Sequence, residues 1–289
     1  MSIRIVTDSC SDIPESYAKE LNVEVIPLTF NLKGKDYYDD FGRSMSSKDF
    51  YKTVREGAMP TTALVNTERY LEFFSSFLDK GEDVIYIAFS SALSGSYQCA
   101  VIAANELKEK YKDRKLAVID SKCASMGITC LVHHAVEKLR TDVNFEELHR
   151  YIEDIKLDIC HQFTVDDLNH LRRGGRLSGA TAVIGTLLSI KPVLHVDIEG
   201  RLVPVDKVRG RKKSLTWLVN TMEKTVKNAD GQTIFISHGD CIEDAEKVAA
   251  AIRERIPGIK DIVINYIGPI IGTHSGPGTV ALFYYGGPR

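Results

Sequence analysis

Small hydroxyl residues recur at the ends of apolar runs in this chain, where they could bind an anion. Three such ends carry polar groups: Thr7-Asp8-Ser9, then Ser90-Ser91 followed by Ser94-Gly95-Ser96, then Asp120-Ser121. In an open α/β sheet, ligands bind outside the carboxyl ends of the strands. The middle stretch leads into a helical pattern, where free N–H groups and the helix dipole favour negative charge. Gly95 would let a ligand approach the backbone, and Ser94 and Ser96 could add hydroxyl donors. Plain helix N-capping accounts for both serines equally well. Asp8 and Ser9 read as caps or ties of the turn, with Asp8 also able to orient a neighbouring hydroxyl.

Thr61 and Thr62 follow Pro60 in a polar loop, and Asn66 or Thr67 can cap the next helix without them. They are either ordinary loop residues or a binding pair, since loops at sheet ends often carry function. His274 lies in Ile271-Gly272-Thr273-His274-Ser275-Gly276-Pro277-Gly278, read as a glycine-rich turn, and could donate to an anion directly or through water. His238, in Ser237-His238-Gly239-Asp240, ends a strand and is a weaker candidate for the same task.

Several chemistries lack their residues. The chain has no Walker A stretch and no G-x-G-x-x-G, so nucleotide binding has no support from a motif. No G-x-S-x-G elbow surrounds Ser91, Ser94 or Ser96. His133 and His134 are adjacent, which points them to different sides of a helix, and no H-E-x-x-H occurs, so no metal is expected. The carboxylate pairs Asp39-Asp40 and Asp166-Asp167 read as turns or helix starts. Arg172, Arg173 and Arg176, joined by Arg201, Lys207, Arg209, Arg211, Lys212 and Lys213, read as solvated surface or as a patch for an acidic partner or a phosphorylated group.

The elements that must hold these residues follow from pattern. The chain has 289 residues, 44% hydrophobic and 26% charged, with a formal net charge of -2. That is an ordinary globular composition with no global attraction for nucleic acid. The six cysteines form no Cys-x-x-Cys pair and read as reduced thiols of a cytoplasmic protein; Cys10 is a small core residue or a reactive thiol beside the site. The first residues do not read as a secretory leader, and no apolar run is long enough for a membrane span. Short apolar strands at Ile3–Val6, Val23–Leu32, Asp83–Phe89 and Lys115–Ile119 alternate with helices, which predicts a mostly parallel sheet. After Asp158 the pattern changes: a strand at Ile159–Val165, an apolar helix at Ala180–Ile190, a hairpin around Glu199-Gly200-Arg201, and strands at Thr233–Ser237, Ile262–Ile267 and Thr279–Tyr285. These predict two α/β domains, residues 1–158 and 159–289, the second built on a mixed sheet.

In this order the pieces form a recognisable set: Val6-Thr7-Asp8-Ser9, Pro60-Thr61-Thr62, Phe89-Ser90-Ser91-Ala92-Leu93-Ser94-Gly95-Ser96-Tyr97-Gln98, Val118-Ile119-Asp120-Ser121, Leu171-Arg172-Arg173-Gly174-Gly175-Arg176-Leu177-Ser178, Lys191-Pro192, Gly200-Arg201, and Gly268-Pro269 through Thr273-His274-Ser275-Gly276-Pro277-Gly278. The sequence resembles, over essentially its full length, the DegV family of FakB-type fatty acid carriers. It departs from them after Pro60, where the usual Thr-Ser-x-Pro is Thr61-Thr62-Ala63-Leu64. The hydroxyl pair survives and the proline does not, which bears on loop shape and acyl preference.

The resemblance implies a two-domain α/β fold with a long-chain fatty acid between or within the domains. It implies that the carboxylate is held by Thr62 or Thr61, by Ser94 and by amides near Gly95, with His274 assisting. Val183, Ile184, Leu187 and Leu188 become candidates for the wall of an acyl tunnel, or for plain core. A separate fatty acid kinase would phosphorylate the bound acid, with Arg173 and Arg201 docking that kinase or steadying the phosphate. No catalytic residue, metal or cofactor of its own is implied; transient membrane contact is compatible. Each buried methylene contributes about 0.8 kcal/mol, so the chain would supply most of the affinity. The rivals are an enzyme using Ser94 or His274 as nucleophile on a small carbonyl or acyl substrate, and a nucleotide-binding regulator.

Overall fold

The computed structural model describes residues 2–178, 190–287 and 289. Strands β1 (Ile3–Asp8), β2 (Glu24–Ile26), β3 (Thr29–Leu32), β4 (Lys35–Tyr38), β5 (Thr61–Ala63), β6 (Asp83–Ala88) and β7 (Leu116–Asp120) come first. Strands β8 (Ile159–Thr164), β9 (Ile190–Val196), β10 (Leu202–Arg209), β11 (Thr233–His238), β12 (Asp261–Tyr266) and β13 (Val280–Tyr285) follow. Helices α1 (Glu15–Leu21), α2 (Ser47–Arg55), α3 (Thr67–Leu78), α4 (Ser96–Lys110), α5 (Met126–Leu139) and α6 (Phe145–Ile155) lie among and after the first strands. Helices α7 (Asn169–Arg173), α8 (Arg211–Thr225), α9 (Ile242–Arg255) and α10 (Pro269–Ser275) belong with the later ones.

The α/β class expected from sequence is what the chain adopts. Strands β2-β1-β6-β7 form a wholly parallel sheet. Strands β10-β9-β8-β13-β11-β12 form a mixed sheet, antiparallel except for β11 beside β12. Every residue of β6 is buried, as a strand covered on both faces requires.

Three expectations needed revision. Val23–Leu32 is two strands, because Pro27 removes a ladder donor and the chain leaves the parallel sheet there. Its second piece, β3, pairs with β4 and β5 in a small antiparallel sheet. The Thr61-Thr62-Ala63 loop is therefore strand β5, with Thr62 opposite Phe30. The turn around His274 is mostly helix α10, opened by Pro269 at its first position. The expected tunnel residues Val183, Ile184, Leu187 and Leu188 lie outside the described residues, and Ile190 already belongs to β9.

Local signals explain much of the rest. The Asn66 side chain accepts from Arg69 N–H at 3.0 Å to start α3, whose buried Tyr70, Phe74, Phe77 and Leu78 recur at helical spacing. Asn144 and Glu147 make a reciprocal capping box for α6. Helix α5 is buried all round through its first two turns, Met126–Val132, and touches β1 and β6 on the parallel sheet and β8, β11 and β13 on the mixed sheet. The larger apolar core runs through it, from Ile5 to Phe283, while a second cluster packs α8 and α9 on the far face of the mixed sheet.

Candidate functional site

A cavity of about 220 Å³ opens between the carboxyl end of the parallel sheet and one face of the mixed sheet. Its walls are mainly apolar: Leu28, Phe89, Phe163, Ile267, Ala281 and Phe283 among others. Each wall has a separate origin. Phe89 follows β6, Phe163 and Ala281 pair across β8 and β13, and Ile270 and Ile271 belong to α10. The polar lining residues include Thr62, Ser94, Arg176, His274 and Ser275.

The structure therefore brings Thr62, Ser94, Gly95 and His274 to one cavity, although 212 residues separate the first from the last. Thr62 Oγ1 and His274 Nε2 stand 3.0 Å apart. Thr61 does not line the cavity; it lines an outer recess of about 350 Å³ with Pro60, His170, Arg173 and Gly174. Thr62, Arg176 and His274 line both spaces and so form the partition between them.

Ser94 is tied to the start of α4. Its Oγ accepts from Ser96 N–H at 3.2 Å and donates to Ser96 Oγ at 3.0 Å. Ser96 Oγ in turn accepts from Val65 N–H at 3.2 Å, which links the helix start to the segment after β5. The capping role and a place on the cavity thus coexist in Ser94. Ser96, buried, does not line the cavity.

Burial lowers the His274 imidazole to about 4, and the nearby Arg176 charge acts in the same direction. His274 is therefore neutral near pH 7. Its Nδ1 is buried with no hydrogen-bond partner among the described residues. With Nε2 protonated, the imidazole donates to Thr62 Oγ1 and leaves the threonine proton free for an anion. Gly174 makes the approach possible: a Cβ there would stand 2.2 Å from His274 Nδ1.

Arg176 is the residue that sequence reasoning treated as surface. Its Nε donates to Leu93 O at 3.2 Å and its Nη1 to Gly174 O, which fixes the guanidinium beside the polar lining. The signal available was the Gly174-Gly175 pair just before it, which turns the chain back after α7, with Gly175 at φ +67°. Arg173 lies in the outer recess, its Nη2 3.3 Å from His170 Nδ1. Arg201 lines neither space; its Nε donates to Asp197 Oδ2 at 2.9 Å in the β9–β10 turn.

The remaining candidates sit elsewhere. Asp8 is fully buried and accepts from Cys10 N–H, Tyr86 O–H and Phe89 N–H, which ties the turn after β1. Ser9 Oγ accepts from Leu28 N–H at 3.0 Å. Burial pushes the Cys10 thiol well up, which fits a core position. His238 Nδ1 accepts from Cys241 N–H at 3.2 Å and its ring lies 4.5 Å from that of Tyr266. His133 Nδ1 meets Tyr17 Oη at 2.8 Å. Among the described residues, no group of three or more acidic, histidine or cysteine side chains is placed to hold a metal, and no helix is long and apolar enough to cross a membrane.

Comparison with known proteins agrees with this architecture. The family described as "Uncharacterised protein, DegV family" matches residues 2–286. A DegV domain-containing protein of Clostridium perfringens is 45% identical over 98% of this chain and 97% of its own length. A solved structure of a DegV family protein from Thermus thermophilus, described as binding fatty acid, is 30% identical, with a TM-score of 0.90 over 99% of this chain and 100% of that one. DegV of Bacillus subtilis, described as a fatty acid binding protein, is 29% identical, with a TM-score of 0.85 over 98% of each chain.

Proposed function

The chain belongs to the DegV family, and on that premise we propose that it binds one long-chain fatty acid in the cytoplasm and presents the carboxylate to a separate kinase. The observation that carries this reading is an apolar cavity whose polar lining includes the Thr62–His274 contact, Ser94 and Arg176. The hydrocarbon occupies the apolar walls, where each methylene removed from water contributes about 0.8 kcal/mol. The carboxylate, costly to bury unpaired, takes the Thr62 and Ser94 hydroxyls, amides near Gly95 and the charge of Arg176. The Thermus thermophilus and Bacillus subtilis relatives, both described as binding fatty acid, support the ligand class.

The outer recess supports presentation. A carboxylate held at the partition has its hydrocarbon on one side and Arg173, Arg176 and His170 on the other. The partner's ATP would reach it from there. A carboxylate oxygen attacks the γ-phosphorus, ADP leaves, and the new acyl phosphate finds cations already in place. Arg201, exposed on its turn and paired with Asp197, is accessible to the kinase surface.

The geometry gives less to an enzyme acting through Ser94. The Ser94 hydroxyl meets Ser96 and no base, and the His274 nitrogen in contact with a hydroxyl meets Thr62 instead. A nucleophile needs its base within hydrogen-bond reach. Native mass spectrometry of protein purified from cells tests the choice. One non-covalent fatty acid per chain is expected; a covalent acyl adduct, or no lipid after incubation with oleic acid, refutes the carrier.

A further inference from the structure

Two buried carboxylates converge on the start of the helix that carries His274. Asp12 Oδ1 accepts from Gly268 N–H at 2.8 Å, and Asp12 O accepts from the Asn265 side chain at 2.8 Å. Asp12 Oδ2 accepts from Ser125 Oγ, which lies 2.8 Å from Ser237 Oγ. Asp39 approaches the same point from the loop after β4. A Cβ on Gly268 would stand 2.9 Å from Asp12 Oδ1 and 2.9 Å from Asp39 Oδ2. Those two oxygens are therefore within about 6 Å of each other, close enough for like charges to disfavour joint ionisation. Asp39 Oδ2 is buried and has no hydrogen-bond partner among the described residues.

Among the described residues, the titratable groups acting most strongly on this pair carry no positive charge. Asp8 and Cys10 face it from β1 and the turn beyond, Asp40 stands next to Asp39, and Tyr51 faces it from α2. All four are neutral or negative. With one acceptor oxygen unpaired, the pair is two charges short of a counter-ion, and a proton is the available remedy.

We propose that Asp12 and Asp39 are positioning residues for the headgroup site, sharing one proton that holds the start of α10, and through it His274, against Thr62. The proposal rests on the reading of Thr62 and His274 as headgroup contacts. The helix is a stiff connection. From Gly268 to His274 is about 9 Å along the axis, and α10 is clamped on its side by Tyr51, whose hydroxyl donates to Ile267 O at 2.9 Å. Tyr51 Oη also lies 2.5 Å from where a Gly272 Cβ would stand, so the helix has no room to slide sideways. A shift of its first turn, where the carboxylates are, is therefore carried along the helix to His274.

The pH dependence follows. Burial pushes the Asp39 carboxyl up to about 7, against the pull of the Ile270 N–H and the Ser9 hydroxyl, with Asp40 and Asp8 adding to the rise. Burial also raises Asp12. A carboxyl raised in the folded state contributes stability that is present at low pH and lost as pH rises through its folded value. As pH rises through about 7 Asp39 ionises beside Asp12, the two carboxylates repel each other and part, and the first turn of α10, bonded to them at Gly268 and Ile270, is disturbed so that His274 leaves Thr62.

The test uses the full chain freed of lipid, with histidine side chains followed by ¹⁵N NMR as pH is raised. The His274 signal should show an inflection near pH 7, well above its own titration, and Asp39→Asn should abolish it. A flat wild-type signal across this range, or an inflection that persists in Asp39→Asn, overturns the proposal. The same chain loaded with parinaric acid should release it about tenfold faster at about pH 8.5 than at about pH 6, and at equal rates in Asp39→Asn. Equal wild-type rates also overturn it. If wild-type protein takes up no parinaric acid at any pH, the lipid reading falls, and the His274 signal still decides the carboxylate pair.

Discussion

Replacing Gly174 by alanine separates His274's part at the headgroup from its part in the fold. Gly174 follows α7 with φ −73° and ψ −8°, a right-handed conformation open to any residue. Backbone entropy alone would favour alanine by about 0.4–1 kcal/mol. The new methyl, however, would stand 2.2 Å from His274 Nδ1 and 3.2 Å from its Cγ. Ordinary contact needs about 3.5 Å, so the ring must retreat by about 1.3 Å. The near-equal distances to Cγ and Cε1 place that methyl in the ring plane beyond Nδ1, so a straight retreat would drive Nε2 into Thr62, 3.0 Å away, and the ring must swing aside, which breaks the hydrogen bond. A neutral hydrogen bond is worth about 0.5–1.5 kcal/mol, and one in a chain that ends on a charge about 1.5–3 kcal/mol. For the lipid-free fold, gain and loss nearly cancel, and Tm should move by no more than about 3 °C. For a bound carboxylate the loss stands alone, and Kd should rise roughly tenfold to 150-fold. Thermal unfolding and a fluorescent fatty acid titration of the delipidated chain measure the two effects. An unchanged Kd refutes the reasoning about the headgroup. A fall in Tm of about 10 °C or more would mean that His274 serves chiefly to pack the junction.

Three further outcomes are expected. Thr62→Ala combined with Ser94→Ala should weaken fatty acid retention and kinase-coupled turnover by about tenfold or more while circular dichroism stays native; unchanged lipid content rejects this carboxylate site. Gly200→Ala should cost about 2–4 kcal/mol in urea unfolding, because Gly200 has φ +82° and its Cβ would stand 2.2 Å from Ser90 Oγ, whose hydroxyl donates to Gly200 O. A cost below about 1 kcal/mol would mean that the β9–β10 turn is not clasped to the parallel sheet. His274 is held near 4 against an ordinary 6.5, so the folded chain binds fewer protons than the unfolded one in that interval. Stability should therefore fall as pH drops from about 6.5 to about 4, and His274→Gln should remove at most about 3 kcal/mol of that loss.

What the sequence disclosed depended on how local each cause was. The caps at Asn66 and the apolar run of β6 are decided within a few residues and were legible. Strand β5 was not, because its partner β3 lies thirty residues away and three residues carry no period. Helix α10 was hidden by Gly268, Gly272 and Gly276, which argue for a turn by propensity. The glycines are there for room: Asp12 and Asp39 crowd the first, Tyr51 and Phe50 the second, and His170 the third. The convergence of Thr62, Ser94 and His274 on one cavity could be expected only through family resemblance, since no spacing predicts it. Arg176 was passed over because arginine is surface by default. Asp39, read as a turn residue beside Asp40, has its carboxylate Oδ2 buried at the start of α10.

Helix α5 is buried on every side in its first two turns because it touches both sheets, and this sets a condition on biosynthesis. Leu139 leaves the ribosome about 140 residues before Val280 opens β13, the strand that joins β8 to β11 beneath the helix. At about 5–20 residues per second, the greasy flank of α5 has no finished surface to cover it for roughly 7–30 s. A nascent chain in that interval is a natural client for holdase chaperones, and slowing translation downstream of Leu139 lengthens the period in which it can aggregate.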